Sequence, residues 1–171
     1  MRLLLVALAL FASACTQHPR EACDMIETNV VAFSAPDAKD QVTVRATGPS
    51  CDKAIGVYAI RDAEGHPIWA WAGSLKQGFG DVIDAKGEHL DEFLTRWAKP
   101  TITRTGTIPD FSRLAPGQTT LDRLTYQDIR ARNLPMLCHF SGTAKEVCIF
   151  WEPVAGAAGL LLERNYEESN R

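Results

Sequence analysis

The sequence predicts an α+β domain with a largely antiparallel sheet of about six to seven strands and two short helices, braced by disulfides. Short β-rich runs follow one another at both ends of the chain, and the two helical patterns lie between them. Strands and helices therefore do not alternate as they do in a βαβ array. The 171 residues are 46% hydrophobic and 23% charged, which is typical of an ordinary globular domain with one core.

Runs rich in Val, Ile and aromatic residues predict four strands in the N-terminal half, at residues 29–34, 41–46, 54–61 and 67–73. The stretch Asp62-Ala63-Glu64-Gly65 predicts a short turn between the last two of these strands, because glycine tolerates a positive φ.

An amphipathic helix is predicted over residues 88–99, where apolar residues recur at the spacing of one helix face: Leu90, Phe93, Leu94 and Trp97. Acidic residues gather near its start: Asp81, Asp84, Glu88, Asp91 and Glu92. Carboxylates also bind calcium, but this spacing matches no calcium loop, and acids stabilise a helix N-terminus. We interpret them as a solvated face and predict no metal and no other cofactor.

The second half begins with residues 101–118, which are rich in Thr, Gly and Pro and predict a long surface connection. A shorter helix is predicted over residues 126–132, with Thr125 and Asp128 at the spacing of a capping box. Further β-rich runs predict a hairpin and a last strand, at residues 134–140, 146–152 and 158–164.

Four of the five cysteines lie within the predicted domain: Cys23, Cys51, Cys138 and Cys148. Four cysteines allow three pairings. If the hairpin turns at Thr143, Cys138 lies directly opposite Cys148 at a distance that a disulfide tolerates, which leaves Cys23 to pair with Cys51. A zinc site is the alternative, but no C-x-x-C or H-x-x-x-H spacing is present, so two disulfides are predicted.

The first residues have the form of a secretory signal peptide. Arg2 supplies the positive end, residues 3–11 form an unbroken apolar run, and Ala12-Ser13-Ala14 supplies small residues for cleavage. The apolar run is shorter than the roughly 20 residues that a transmembrane helix needs. We therefore expect export of the chain.

Ser13, Ala14 and Cys15 resemble the lipobox of bacterial lipoproteins, a family in which the cysteine receives a lipid and becomes the first mature residue. Ala12 departs from the Leu that the family most often has, and Ala12-Ser13-Ala14 also satisfies the cleavage rule of soluble secreted proteins. The cysteine count favours lipidation, because Cys15 is left without a partner once two disulfides have formed.

This resemblance implies a signal peptide at residues 1–14, a lipidated tether at 15–22 and one globular domain at 23–171. The lipid on Cys15 would anchor the domain to a membrane. Thr16 stands where Asp commonly marks retention in the inner membrane, which implies the outer membrane, with the domain facing the periplasm. The alternative is a soluble periplasmic or secreted protein with a free thiol at Cys15.

Aromatic residues of one hairpin form a candidate binding surface. Trp69 and Trp71 project to one face, and pairing of Arg61 with His66 would place Tyr58 opposite Trp69. Such a platform can stack on sugar rings or on an apolar ligand. Core packing is the simpler role, because the opposite face is apolar as well.

Motifs of a nucleophile elbow, a phosphate-binding loop, a zinc-protease helix and an EF-hand are missing from the sequence, so a binding protein is favoured over an enzyme and no catalytic residue is assigned. His139 lies in an apolar strand without a paired nucleophile, and we interpret it as a satisfied core histidine. The net charge of −3 provides no basic surface for nucleic acid.

Taken together, these features predict an exported bacterial envelope lipoprotein with a small, non-catalytic binding or inhibitor module. The expected partners are the membrane, through the lipid, and an envelope protein or cell-wall material. One alternative is an envelope hydrolase whose site is assembled from distant residues, for which an organised polar cleft would be the sign. The other is a structural accessory subunit of an outer-membrane complex, for which a large exposed apolar patch would be the sign.

Overall fold

The computed structural model describes residues 22–80, 83–84 and 87–165. Within these ranges the strands form two four-stranded antiparallel sheets, and in each sheet they pair in chain order. The α+β class and the antiparallel pairing are confirmed, but the prediction of a single larger sheet is wrong. After its fourth strand the chain continues into helices, and the later strands pair among themselves.

The first sheet contains β1 (Cys23–Val31), β2 (Asp40–Gly48), β3 (Ile55–Arg61) and β4 (Pro67–Ser74). β1 begins at Cys23 rather than at residue 29, because polar residues in its first half hide the apolar pattern of a strand. One of these residues, Asp24, forms an ion pair with Arg45 of β2 at 2.7 Å.

The second sheet contains β5 (Thr101–Arg104), β6 (Pro135–Gly142), β7 (Lys145–Glu152) and β8 (Ala157–Asn165). β5 lies inside the stretch predicted to be a surface connection. It is short and mostly exposed, and it pairs with β6 at the edge of the sheet. Its sequence therefore lacks the apolar residues that predict a buried strand.

Three helices lie in the described residues, one more than predicted: α1 (Leu75–Phe79), α2 (Leu90–Trp97) and α3 (Arg123–Ala131). α1 is too short for an apolar periodicity and contains Gly78. α2 lies within its predicted range. Of the acidic residues near α2, Asp84 accepts a hydrogen bond from the Gly87 amide at 2.5 Å, and Asp81 lies outside the described residues.

The N-cap of α3 differs from the predicted one. Asp122 accepts hydrogen bonds from the amides of Leu124 and Thr125 at 2.9 and 3.0 Å. Thr125 therefore lies inside the first turn, and the predicted capping box of Thr125 and Asp128 is wrong. α3 ends before Asn133, which adopts a positive φ of 51°, and β6 begins at Pro135.

The buried apolar residues form two clusters rather than the one core expected, and the second sheet separates them. The larger cluster joins the inner faces of the two sheets and includes Val42, Val44, Ile60, Leu137 and Ile149. The smaller cluster joins the other face of the second sheet to α3 and includes Tyr126, Ile129, Met136 and Leu161. The domain is thus layered as sheet, sheet and helix.

Both predicted disulfides are confirmed. Cys138 and Cys148 lie directly opposite each other on β6 and β7, with their Cα atoms 4.1 Å apart. The turn is tighter than predicted, because Gly142 pairs with Lys145, but a bulge before Gly142 restores the register expected at the cysteines. Cys23 pairs with Cys51 and joins the start of β1 to the turn after β2.

Candidate aromatic binding groove

A cluster of rings fills the space between the two sheets near α1 and α2. It consists of Tyr58, Trp71, Phe79, Phe93, Trp97 and His139, and successive ring centroids lie 4.0 to 6.4 Å apart. Most pairs are tilted or edge to face, which is the arrangement that aromatic quadrupoles favour. We call this set the ring cluster.

Glycines on neighbouring strands make room for the ring cluster. Gly56 of β3 lies opposite Gly73 of β4. A Cβ atom at Gly73 would lie 2.8 Å from the indole of Trp71, and one at Gly56 would lie 3.0 Å from the indole of Trp97. Each indole therefore packs against a strand at a position where only hydrogen can stand.

Tyr58 and Trp71 face each other within this cluster. The predicted pairing of Tyr58 with Trp69 is wrong, because Arg61 pairs with Pro67 and a bulge follows, which places Tyr58 opposite Trp71. The partner of Tyr58 changes by two positions, so Tyr58 still shares one face with Trp69 and Trp71. Tyr58 is fully buried, and burial raises the pKa of its hydroxyl far above the ordinary value.

His139 is a satisfied core histidine, as the sequence predicts. Its ring stacks on Tyr58 with centroids 4.0 Å apart. Nδ1 lies 3.0 Å from the carbonyl oxygen of Phe140, and Nε2 accepts a hydrogen bond from the indole of Trp69 at 3.3 Å. These contacts require the neutral tautomer with its proton on Nδ1, and burial lowers the pKa of the ring to about 4.

The ring cluster opens to the surface in a cavity of about 260 Å³, which we call the aromatic groove. Its lining combines four rings, one cation and the turn between β6 and β7: Phe79, Phe93, Trp97, Phe140, Arg96, Gly142 and Thr143. Phe140 is 38% exposed and forms the outer wall, and its carbonyl oxygen accepts a hydrogen bond from the Trp97 indole at 2.8 Å. Arg96 is the ionisable side chain in this lining.

A second cavity of about 410 Å³ adjoins the groove, and the two share Gly142 and Thr143. We call it the polar depression, because its lining includes Ser74, Gln77, Ser141 and Lys145. The Ser141 hydroxyl is buried and has no hydrogen-bond partner among the described residues.

Close backbone contact between α1 and the β6–β7 turn shapes both cavities. The Thr143 amide donates a hydrogen bond to the carbonyl oxygen of Gly78 at 2.9 Å. A Cβ atom at Gly142 would lie 3.0 Å from that same oxygen. Glycine at this position therefore lets α1 lie directly against the turn.

The predicted binding residues and the groove coincide only in part. Tyr58 lies behind the groove in the core, Trp69 is half-buried and bonded to His139, and Trp71 lines the polar depression. The sequence does not identify the groove-lining rings as site residues, although it places Phe93 and Trp97 on the apolar face of the predicted helix. Cys15, the predicted lipidation site, lies outside the described residues.

Two other places on the surface hold ionisable clusters. Asp62, Glu64 and His66 bring ligand atoms within 4.8 Å of one another on the exposed β3–β4 turn, where Asp62 already bonds to His66. A further cavity of about 270 Å³ lies beneath residues 109–118 and is lined in part by Arg113 and Arg164, the latter paired with buried Glu146. Among the described residues, the linings of the aromatic groove, the polar depression and this third cavity contain no histidine beside a nucleophile.

Comparison with known protein families, with curated proteins and with solved structures found no match for this chain. Within the part of the chain that the structure describes, every helix is too short or too polar to cross a membrane.

Proposed function

We propose that the protein is an exported bacterial envelope lipoprotein whose domain binds a partner through the aromatic groove and performs no catalysis. The observation that carries the proposal is the groove itself, where the ring cluster reaches solvent beside a cation. Apolar cavities with a few well-placed polar groups are the usual form of binding sites. Rings fixed by neighbouring rings lose little entropy when a ligand arrives.

The anchor follows from the sequence. A lipid on Cys15 accounts for the odd cysteine, because the other four form two disulfides. These disulfides suit the oxidising periplasm, and Thr16 favours the outer membrane. The partner is then an envelope protein, an enzyme that the module inhibits, or cell-wall material.

Labelling with radioactive palmitate tests the anchor. We expect the wild-type chain to incorporate the label in bacterial cells and the Cys15→Ala variant to incorporate none, because the thioether forms on that sulfur. An Ala12→Leu variant, which restores the usual lipobox residue, serves as the positive control and should label at least as well as the wild type. Equal labelling of the wild type and Cys15→Ala would contradict the anchor.

Photo-crosslinking in intact cells tests the groove. We expect a photoreactive amino acid in place of Phe140 to capture a reproducible envelope partner, because this ring forms the outer wall of the groove. The matched control replaces Leu124, which is 73% exposed on α3, away from the groove lining. Capture from both positions alike, or from Leu124 alone, would contradict binding through the groove.

An accessory subunit of an outer-membrane complex is the second candidate, and one observation favours it. The outer face of the first sheet exposes three large apolar side chains, Ile26, Val30 and Ile55, at 59%, 61% and 51%. No described residue covers them. In a subunit of a complex, such a face would be buried against a neighbour.

A further inference from the structure

We infer that the aromatic groove and the polar depression together bind an extended, acidic segment of a partner protein. One large apolar side chain of that segment enters the groove, and a neighbouring carboxylate pairs with Arg96. This inference rests on the proposed function, since it names the chemistry of the partner that the module binds.

The size of the groove selects a single side chain. A volume of about 260 Å³ suits one aromatic or long aliphatic side chain and is below the usual range for a whole drug-sized ligand. Phe79 and Phe93 meet edge to face with centroids 4.7 Å apart, so ring faces and edges are both offered to an incoming ring. The space beyond Gly142 and Thr143 combines polar side chains with the Trp71 indole, so a chain that leaves the groove there meets hydrogen-bonding groups as well as apolar surface.

The polar depression suits a peptide backbone. It continues from the groove past Gly142, where a side chain is absent, and it offers the side-chain amide of exposed Gln77. The backbone of an extended segment carries a donor and an acceptor at every residue, and these need partners once water is displaced. The two adjoining cavities therefore match the two parts of a peptide, the side chain and the main chain.

The charges in the two linings select an acidic segment. Arg96 lies in the groove, and Lys145 lies in the polar depression. Each forms one ion pair with an acidic side chain among the described residues: Glu92 lies 3.6 Å from Arg96, and Glu163 lies 3.2 Å from Lys145. All four side chains are largely exposed, and exposed pairs of this kind are weak. A ligand carboxylate held beside the rings, with less water around it, competes well for either cation.

Residues 166–171 of this chain are the rival occupant. They follow Asn165, which pairs with Lys145, and they read Tyr-Glu-Glu-Ser-Asn-Arg, an aromatic residue followed by two acids. A chain that ends at Asn165 separates the two possibilities, because it removes the rival and leaves both cavities intact.

The probe is the peptide acetyl-Gly-Glu-Phe-Glu-Gly-amide, titrated into the mature chain carrying Cys15→Ala and followed by heteronuclear NMR. We expect shifts centred on the groove and an affinity about fivefold lower for the Gln-Phe-Gln peptide, the loss expected for one partly exposed charge-assisted contact. The Arg96→Gln variant should bind the acidic peptide about fivefold more weakly and lose most of the preference for it over the neutral peptide. Arg113→Gln, in the separate cavity, is the control and should leave binding unchanged.

Three results would overturn the inference. Equal binding of the acidic and neutral peptides by the wild type would remove the role of charge. Binding at least tenfold tighter to the chain ending at Asn165 than to the full chain would assign the groove to residues 166–171. Absence of peptide binding, while the photoreactive amino acid in place of Phe140 still captures an envelope partner in cells, would reject the acidic segment and leave the proposed function standing.

Discussion

Replacement of Trp97 by alanine is expected to lower the free energy of unfolding by about 3–5 kcal/mol, the usual cost of emptying a large buried aromatic site. Trp97 is 3% exposed, and its ring contacts four others: Tyr58, Trp71, Phe79 and Phe93. Its indole N–H also satisfies the carbonyl oxygen of Phe140. The truncation thus removes packing area and one hydrogen bond together.

Two further variants separate these contributions. Trp97→Phe keeps much of the ring area but loses the donor, and we expect a loss of about 1–2 kcal/mol. Trp151→Ala removes a half-buried tryptophan with one ring neighbour, Phe33, and we expect a smaller loss than at Trp97. Urea unfolding followed by far-UV circular dichroism measures the free energy of unfolding of all three variants. A loss below about 1 kcal/mol for Trp97→Ala would contradict a structural role for the ring cluster.

Acidification from pH 7 to pH 4 is expected to lower the free energy of unfolding by about 3 kcal/mol through His139 alone. Burial lowers the pKa of His139 from 6.5 to about 4 in the folded chain. Below pH 6.5 the unfolded chain binds a proton that the folded chain does not bind until about pH 4. The stabilisation is therefore complete above pH 6.5 and is lost as the pH falls through this window.

The pH dependence of unfolding in a His139→Gln variant provides the test. Glutamine does not titrate. The free energy of unfolding of the His139→Gln variant should therefore change less between pH 6.5 and 4 than that of the wild type. His89→Gln replaces an exposed histidine and should leave the wild-type slope unchanged. Hydrogen bonds lower the pKa values of Asp122 and Glu152, but both groups are present in every variant. Parallel curves for the wild type and His139→Gln would show that the ring is not held neutral.

Local pairing was the most predictable part of the structure. The Cys138–Cys148 disulfide followed from hairpin register, which depends on residues close together in the chain. The sequence pattern does not predict the division into two sheets, because this division depends on where the chain leaves β4 and on how distant strands pack. The sequence does not predict α1 for a related reason. Five residues that include Gly78 are too few for a stable isolated helix, and α1 is held by packing against the β6–β7 turn.

The groove was less predictable than the fold. The apolar spacing of Phe93 and Trp97 predicts a buried helix face, but it does not distinguish a core residue from the wall of a cavity. Nothing in the sequence around Phe140 indicates a binding role, because aromatic residues are common in β-strands. The bulge after Ile60 also moved Tyr58 to face Trp71, and such an irregularity has no reliable mark in the sequence.

The placement of the disulfides has a consequence for folding after export. Cys23–Cys51 lies within the chain segment of the first sheet, and Cys138–Cys148 lies within that of the second. Because each sheet pairs neighbouring strands, each half can oxidise as soon as its own hairpins form. Docking of the two halves then proceeds with neither disulfide joining them, and an incorrect first encounter between the sheets can be reversed without breaking a sulfur–sulfur bond.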